Sequence, residues 1–241
     1  MKRFLEVDAL RGIAIIMVVA YHAVFDLHFF GVLPGLLPTG EWLIFGHIAA
    51  VLFVLLAGFS LHLSMSRAKL HGKMKFSKYL PRGAQIFALG MLITLATWIY
   101  PHEGVVIFGV LHLIGAAIVL GYFFERFYLL NAIFGAAIVL FGLLAGEYTA
   151  ANPALFFLGF PISGLFTLDY FPLAPWFGVF LIGMFLGKML YPQYERRFDE
   201  LQVRGVVARA LGVFGRNTLL IYFVHQPIII LGLSLFGVVR L

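Results

Sequence analysis

Residues 8–28 read DALRGIAIIMVVAYHAVFDLH, and this stretch decides the fold. It is an apolar run long enough to cross a bilayer as a helix, which takes about 20 residues. Yet Arg11 stands near one end, His22 eleven positions later, and Asp26 four beyond that. An ionisable side chain at the centre of a membrane helix costs roughly 2.5–3.5 kcal/mol on insertion scales, so its presence points to a role. At about 1.5 Å rise per residue, Arg11 and His22 lie roughly 16 Å apart along the axis. His22 and Asp26, at i and i+4, share one face. A carboxylate there would hold the imidazole in one tautomer and support its protonated form, as a general base requires. The structural alternative is that Arg11 snorkels and His22 hydrogen-bonds a neighbouring helix.

The remainder of the 241-residue chain has the same character. It is 62% hydrophobic and 12% charged, with a mean hydropathy of +1.01. A soluble domain of that length needs more polar surface. The composition therefore predicts an all-α, multi-pass helix bundle in the cell (cytoplasmic) membrane, residues 1–241 forming a single domain. Cysteine is absent, which excludes disulfides, thiolate metal sites and a cysteine nucleophile. The 17 Lys and Arg against 11 acids lie mostly in connections, so they report topology rather than a nucleic-acid partner. MKR followed by an apolar run resembles a signal peptide, but no small-residue cleavage site follows, and a retained first helix is expected.

Apolar windows cut at charges, Gly and Pro predict seven spans, near 9–30, 42–65, 79–99, 104–124, 127–146, 174–191 and 215–238. Residues 147–173 are apolar but interrupted by Pro153, Pro161 and Pro172. Such a segment lies in the interface or re-enters more often than it spans, with an eighth span as the alternative. Lys and Arg crowd the connection 66–82 and the segment 188–216, whereas 31–41, 100–103 and 147–173 contain none. This asymmetry places the N-terminus inside and, with seven spans, the C-terminus outside. Residues 192–212 have mixed charge, and Tyr194, Phe198, Leu201 and Ala208 share a helical face, suggesting an amphipathic helix on the cytoplasmic surface.

Three further spans carry a histidine: His47 in the second, His112 in the fourth, and His225, followed by Gln226, in the last. With His22 these lie at broadly similar depth, and four imidazoles aimed at one pocket would be a site. Paired histidines on membrane helices can also ligate haem, and histidine–carboxylate clusters can hold zinc or iron. The spacing among these four matches no HxxxH or HExxH pattern, so no metal is expected. His28, His62, His71 and His102 fall toward helix ends or loops, where a solvated or interfacial position is expected. The basic connection SRAKLHGKMKFSKYLPR (66–82) is either a topological signal that also attracts anionic lipid or a landing site for a polyanionic ligand, with Arg11, Arg82 and Gln85 nearer the membrane. Exposed Gly and aromatic faces would suit a homodimer or lipid equally.

Five segments together resemble a known family. VDALRGIAIIMVVAYH (7–22), GFSLHLSMSRA (58–68), FGVLHLIG (108–115), PLAPWFG (172–178) and GRNTLLIYFVHQP (215–227) are similar to the small prokaryotic membrane proteins grouped with the catalytic domain of heparan-α-glucosaminide N-acetyltransferase. The spacing of Arg11 and His22 also resembles the Arg-x10-His signature of membrane acyltransferases that O-acylate bacterial surface glycans. The resemblance implies acyl transfer from cytoplasmic acyl-CoA, usually acetyl-CoA, to a carbohydrate or other small acceptor on the far side of the bilayer. Arg11, with Arg82 and Gln85, would bind the donor. His22 would be the base, oriented by Asp26, and His47, His112, His225 and Gln226 would line the pocket. The sequence departs from the lysosomal enzyme, which has an Asn where this chain has His22 and a His-x-x-Trp-Asn-Gly stretch that residues 29–45 lack. The lysosomal acceptor is therefore not transferred. The competing class is a transporter or ligand-binding protein, haem included, that uses the buried histidines.

Overall fold

A computed structural model describes residues 3–33 and 40–238 of the chain. Eight α-helices occur among the described residues: α1 (Leu5–Phe29), α2 (Glu41–Leu70), α3 (Phe76–Ile99), α4 (Val110–Phe124), α5 (Leu129–Ala145), α6 (Leu173–Leu190), α7 (Val206–Arg216) and α8 (Thr218–Leu235). The chain is a helical membrane protein: α1, α2, α3, α6 and α8 are long and apolar enough to cross a bilayer, and α4 and α5 are shorter apolar helices. The seven predicted spans correspond to α1–α6 and α8.

Two segments, the start of α4 and residues 192–212, differ from the sequence expectation, and 147–173 follows it. α4 begins at Val110 rather than near residue 104 because 104–108 instead runs beside 167–171. The Leu168 N–H donates to the Gly104 carbonyl at 2.8 Å and the Phe171 N–H to the Phe108 carbonyl at 2.9 Å, so non-helical backbone is satisfied within the protein. Between α5 and α6 the only helical element is a 3₁₀ turn, Pro153–Leu158, so 147–173 contains no spanning helix. Tyr170 closes this segment: its hydroxyl donates to the Phe156 carbonyl at 2.6 Å. Burial pushes that phenol up to about 12, so it remains a donor at neutral pH. The expected amphipathic helix at 192–212 is displaced to α7. Gln193 and Tyr194 take positive φ (53° and 65°) and Gly205 takes 117°, which breaks the chain into short turns before Val206.

Two compact units divide the chain, and the boundary falls inside α2. Unit 1 comprises residues 1–53 and 199–241, in which α1 packs on α7 and α8. The α1–α7 contact is backbone against backbone: a Cβ at Gly12 would strike the Leu211 carbonyl, and one at Gly215 the Asp8 carbonyl. Unit 2 comprises residues 54–198, with α3 on α4 and α5 on α6. Here a Cβ at Gly83 would lie 2.6 Å from the Gly115 carbonyl oxygen, and one at Gly115 2.7 Å from that of Gly83. Such contacts suit a membrane, where close van der Waals approach replaces the hydrophobic effect between helices.

Candidate active site

In unit 1, α1 and α8 bring the paired residues of their sequences into register. His22 Nδ1 and His225 Nε2 are 2.9 Å apart, and the ring centroids are 4.8 Å apart. The other nitrogen of His225, Nδ1, lies 2.5 Å from the Tyr222 carbonyl oxygen. A carbonyl only accepts, so His225 Nδ1 carries the hydrogen and, in the neutral ring, Nε2 presents a lone pair. His22 must then donate from Nδ1, which leaves its own lone pair on Nε2. The hydrogen-bond chain thus fixes His22 as an Nδ1–H tautomer with a basic Nε2.

Asp26, the i+4 neighbour expected to orient His22, makes a different bond. Its Oδ1 accepts from Gln226 Nε2 at 2.8 Å. The other oxygens of both groups, Asp26 Oδ2 and Gln226 Oε1, are buried with no hydrogen-bond partner in the protein. His225 therefore occupies the orienting position, and Asp26 with Gln226 forms a second polar pair one turn away. At the start of α1, Arg11 Nη2 donates to the buried carboxylate of Asp8.

The remaining predicted site residues lie elsewhere. His47 is exposed and turns back to the Leu43 carbonyl at 2.8 Å. His112, in unit 2, is buried with both nitrogens engaged: Nδ1 accepts from the Gly109 N–H at 3.2 Å and Nε2 lies 3.3 Å from Thr94 Oγ1. Thr94 donates its own hydrogen to the Val106 carbonyl at 2.6 Å, so it accepts from His112. Arg82 and Gln85 are exposed on α3. Of the four membrane histidines, the fold pairs His22 with His225, turns His47 outward and commits His112 to its own helix terminus. No group of three or more His, Cys, Asp or Glu is arranged to hold a metal among the described residues.

Sequence reasoning missed His62, for which a solvated or interfacial position was expected. It is buried in α2 because α2 continues to Leu70 and the glycine at 187 lets α6 approach. A Cβ at Gly187 would lie 3.1 Å from both Cβ and Cδ2 of His62. The signal was the small-residue spacing of Gly183 and Gly187 opposite GFSLH.

The family model described as heparan-alpha-glucosaminide N-acetyltransferase, catalytic, matches residues 3–227. The chain belongs to that family. The heparan-alpha-glucosaminide N-acetyltransferase match takes in every residue of the His22–His225 and Asp26–Gln226 pairs, and at family level it marks a transmembrane acetyltransferase. Neither the curated proteins nor the solved structures hold a significant match to the chain.

Proposed function

We propose that the protein transfers an acyl group, acetyl in the first instance, from cytoplasmic acyl-CoA to a hydroxyl or amine of a carbohydrate or other small acceptor reached from the outer side of the cell membrane. The observation that carries this reading is the His22–His225 bond. It leaves a lone pair on Nε2 of His22 and a second imidazole behind it to hold the ring's tautomer and orientation, the positioning part of what a carboxylate does in a hydrolytic triad. His22 Nε2 takes the proton of the acceptor as its nucleophile–carbonyl bond forms. As the carbon–sulfur bond breaks, the same proton passes to the departing thiolate, so the histidine pair ends as it began. The orphaned Asp26 Oδ2 and Gln226 Oε1 are acceptors next to this base, placed to take hydrogens from an acceptor molecule.

On the donor side the proposed contact is Arg11. Asp8 shares the Arg11 guanidinium, and the five donors of that group allow a carboxylate and a phosphate to be held together. Purified protein in lipid discs should bind acetyl-CoA and transfer its acetyl group, scored by thiol release and product mass. Arg11→Ala should weaken acetyl-CoA binding by roughly tenfold or more, the effect of losing a charge-assisted hydrogen bond. Undiminished affinity in that variant would remove Arg11 from the donor site, and no transfer to any sugar or amine acceptor would remove the activity.

A further inference from the structure

His62 is only 4% exposed, and its Nε2 is buried with no hydrogen-bond partner. The ring is held in place by the close passage of Gly187, where α6 ends against α2. Lys188 and Lys69 both act electrostatically on this imidazole. Their charges are handled differently. Lys69 is paired with the buried carboxylate of Glu125. Lys188 has no carboxylate partner among the described residues, and its ammonium lies 5.7 Å from the centre of the Tyr128 ring. Arg67, one turn before Leu70, likewise stands over an aromatic ring, that of Tyr194 at 6.0 Å, rather than beside an acid. One end of unit 2 therefore holds an excess of cationic groups around an orphaned ring nitrogen. Topological placement of lysines accounts for the charge but not for a buried imidazole nitrogen with nothing to bond.

We propose that His62, Lys69 and Lys188, with Arg67 beside them, form a binding site for a phosphate group. Phosphate suits both protonation states of His62: a neutral Nε2 accepts from a P–O–H, and an imidazolium donates to a P–O⁻. Lys188 supplies the uncompensated point charge, and the Lys69–Glu125 pair fixes the second ammonium in place. The chemistry is common to two sources, the phosphates of a CoA donor and the headgroup of an anionic lipid. With CoA as the source, the site rests on the acyl-transfer reading and names the chemistry that would hold a donor phosphate; with lipid as the source it stands independently.

The test uses the full chain in discs of phosphatidylcholine, titrated calorimetrically with CoA, 3′,5′-ADP and pyrophosphate, and repeated with phosphatidylglycerol added. Binding of CoA and 3′,5′-ADP in phosphatidylcholine, weakened roughly tenfold or more by Lys188→Gln and retained by Lys188→Arg, identifies a nucleotide phosphate. Headgroup binding instead appears as phosphatidylglycerol that co-purifies with the wild type, is lost in Lys188→Gln, and blocks pyrophosphate. His62→Gln should match Lys188→Gln. Lys188 sits at a helix end and is the safer variant should replacement of the buried histidine impair folding. The proposal is overturned if Lys188→Gln binds every probe as the wild type does, or if no probe binds and phosphatidylglycerol retention is equal in both. Phosphate binding that depends on Lys188 in a protein without acetyl transfer would keep this site and discard the acyltransferase reading.

Discussion

Two histidines in apolar helices, His22 in unit 1 and His112 in unit 2, have opposite hydrogen-bond environments. His112 has a donor at Nδ1 and an acceptor at Nε2, both from its own unit. His22 gives one hydrogen to His225 and keeps a lone pair. Both cost free energy to place in a membrane, but of the two only His22 keeps a ring nitrogen outside the bonds of its own unit. Burial and sequence context do not separate these two imidazoles; counting the protein's own bonds to each nitrogen does.

The contrast can be broken most easily at His22. His22→Gln should reduce acetyl transfer by roughly 10²–10⁴-fold, the usual worth of a general base, while acetyl-CoA still binds. A variant that keeps its turnover would end the assignment. The next largest effect is expected at His225. His225→Phe, which cannot accept from His22 Nδ1, should lose about 10–100-fold, as outer-shell partners of histidine ligands do. His225→Gln, with a carbonyl oxygen able to accept, should recover part of that loss; equal rates for Phe and Gln would show that the bond to His22 is incidental. His112→Ala should cost about 1–3 kcal/mol of stability by stranding the Gly109 N–H and the Thr94 hydroxyl oxygen, with activity per folded molecule unchanged. A native melting temperature together with lost turnover would reverse the comparison. His47→Ala should change stability by no more than about 0.5 kcal/mol and leave transfer intact, since its ring bonds only its own helix.

Much of the fold was legible because membrane helices announce themselves by length and apolarity, and six of the seven predicted spans start within a few residues of the observed helices. The seventh, α4, starts late because pairing of 104–108 with 167–171 is a contact between segments far apart in sequence, and no local period encodes it. In the candidate site, His22, Asp26, His225 and Gln226 could be singled out from the sequence but not matched to their partners. Spacing correctly puts His22 and Asp26 on one helical face. It cannot show that His225 and Gln226, some two hundred positions on, take the two groups separately. His62 was missed for a related reason: its burial depends on a glycine of α6, a residue type that signals close approach without saying to what.

The glycine at position 12 has a consequence for His22, ten residues further along the same helix. With the Leu211 carbonyl seated where a side chain would be, and the Asp8 carbonyl seated against Gly215, α1 is keyed to α7 and cannot spin about its own axis. A turn of roughly 10° would swing a side-chain tip at a radius of about 5–6 Å through roughly 1 Å. That arc is enough to open a 2.9 Å bond between two rings. The torsional setting of the proposed base is therefore held at the foot of the helix, by two backbone carbonyls that the proposed reaction does not use.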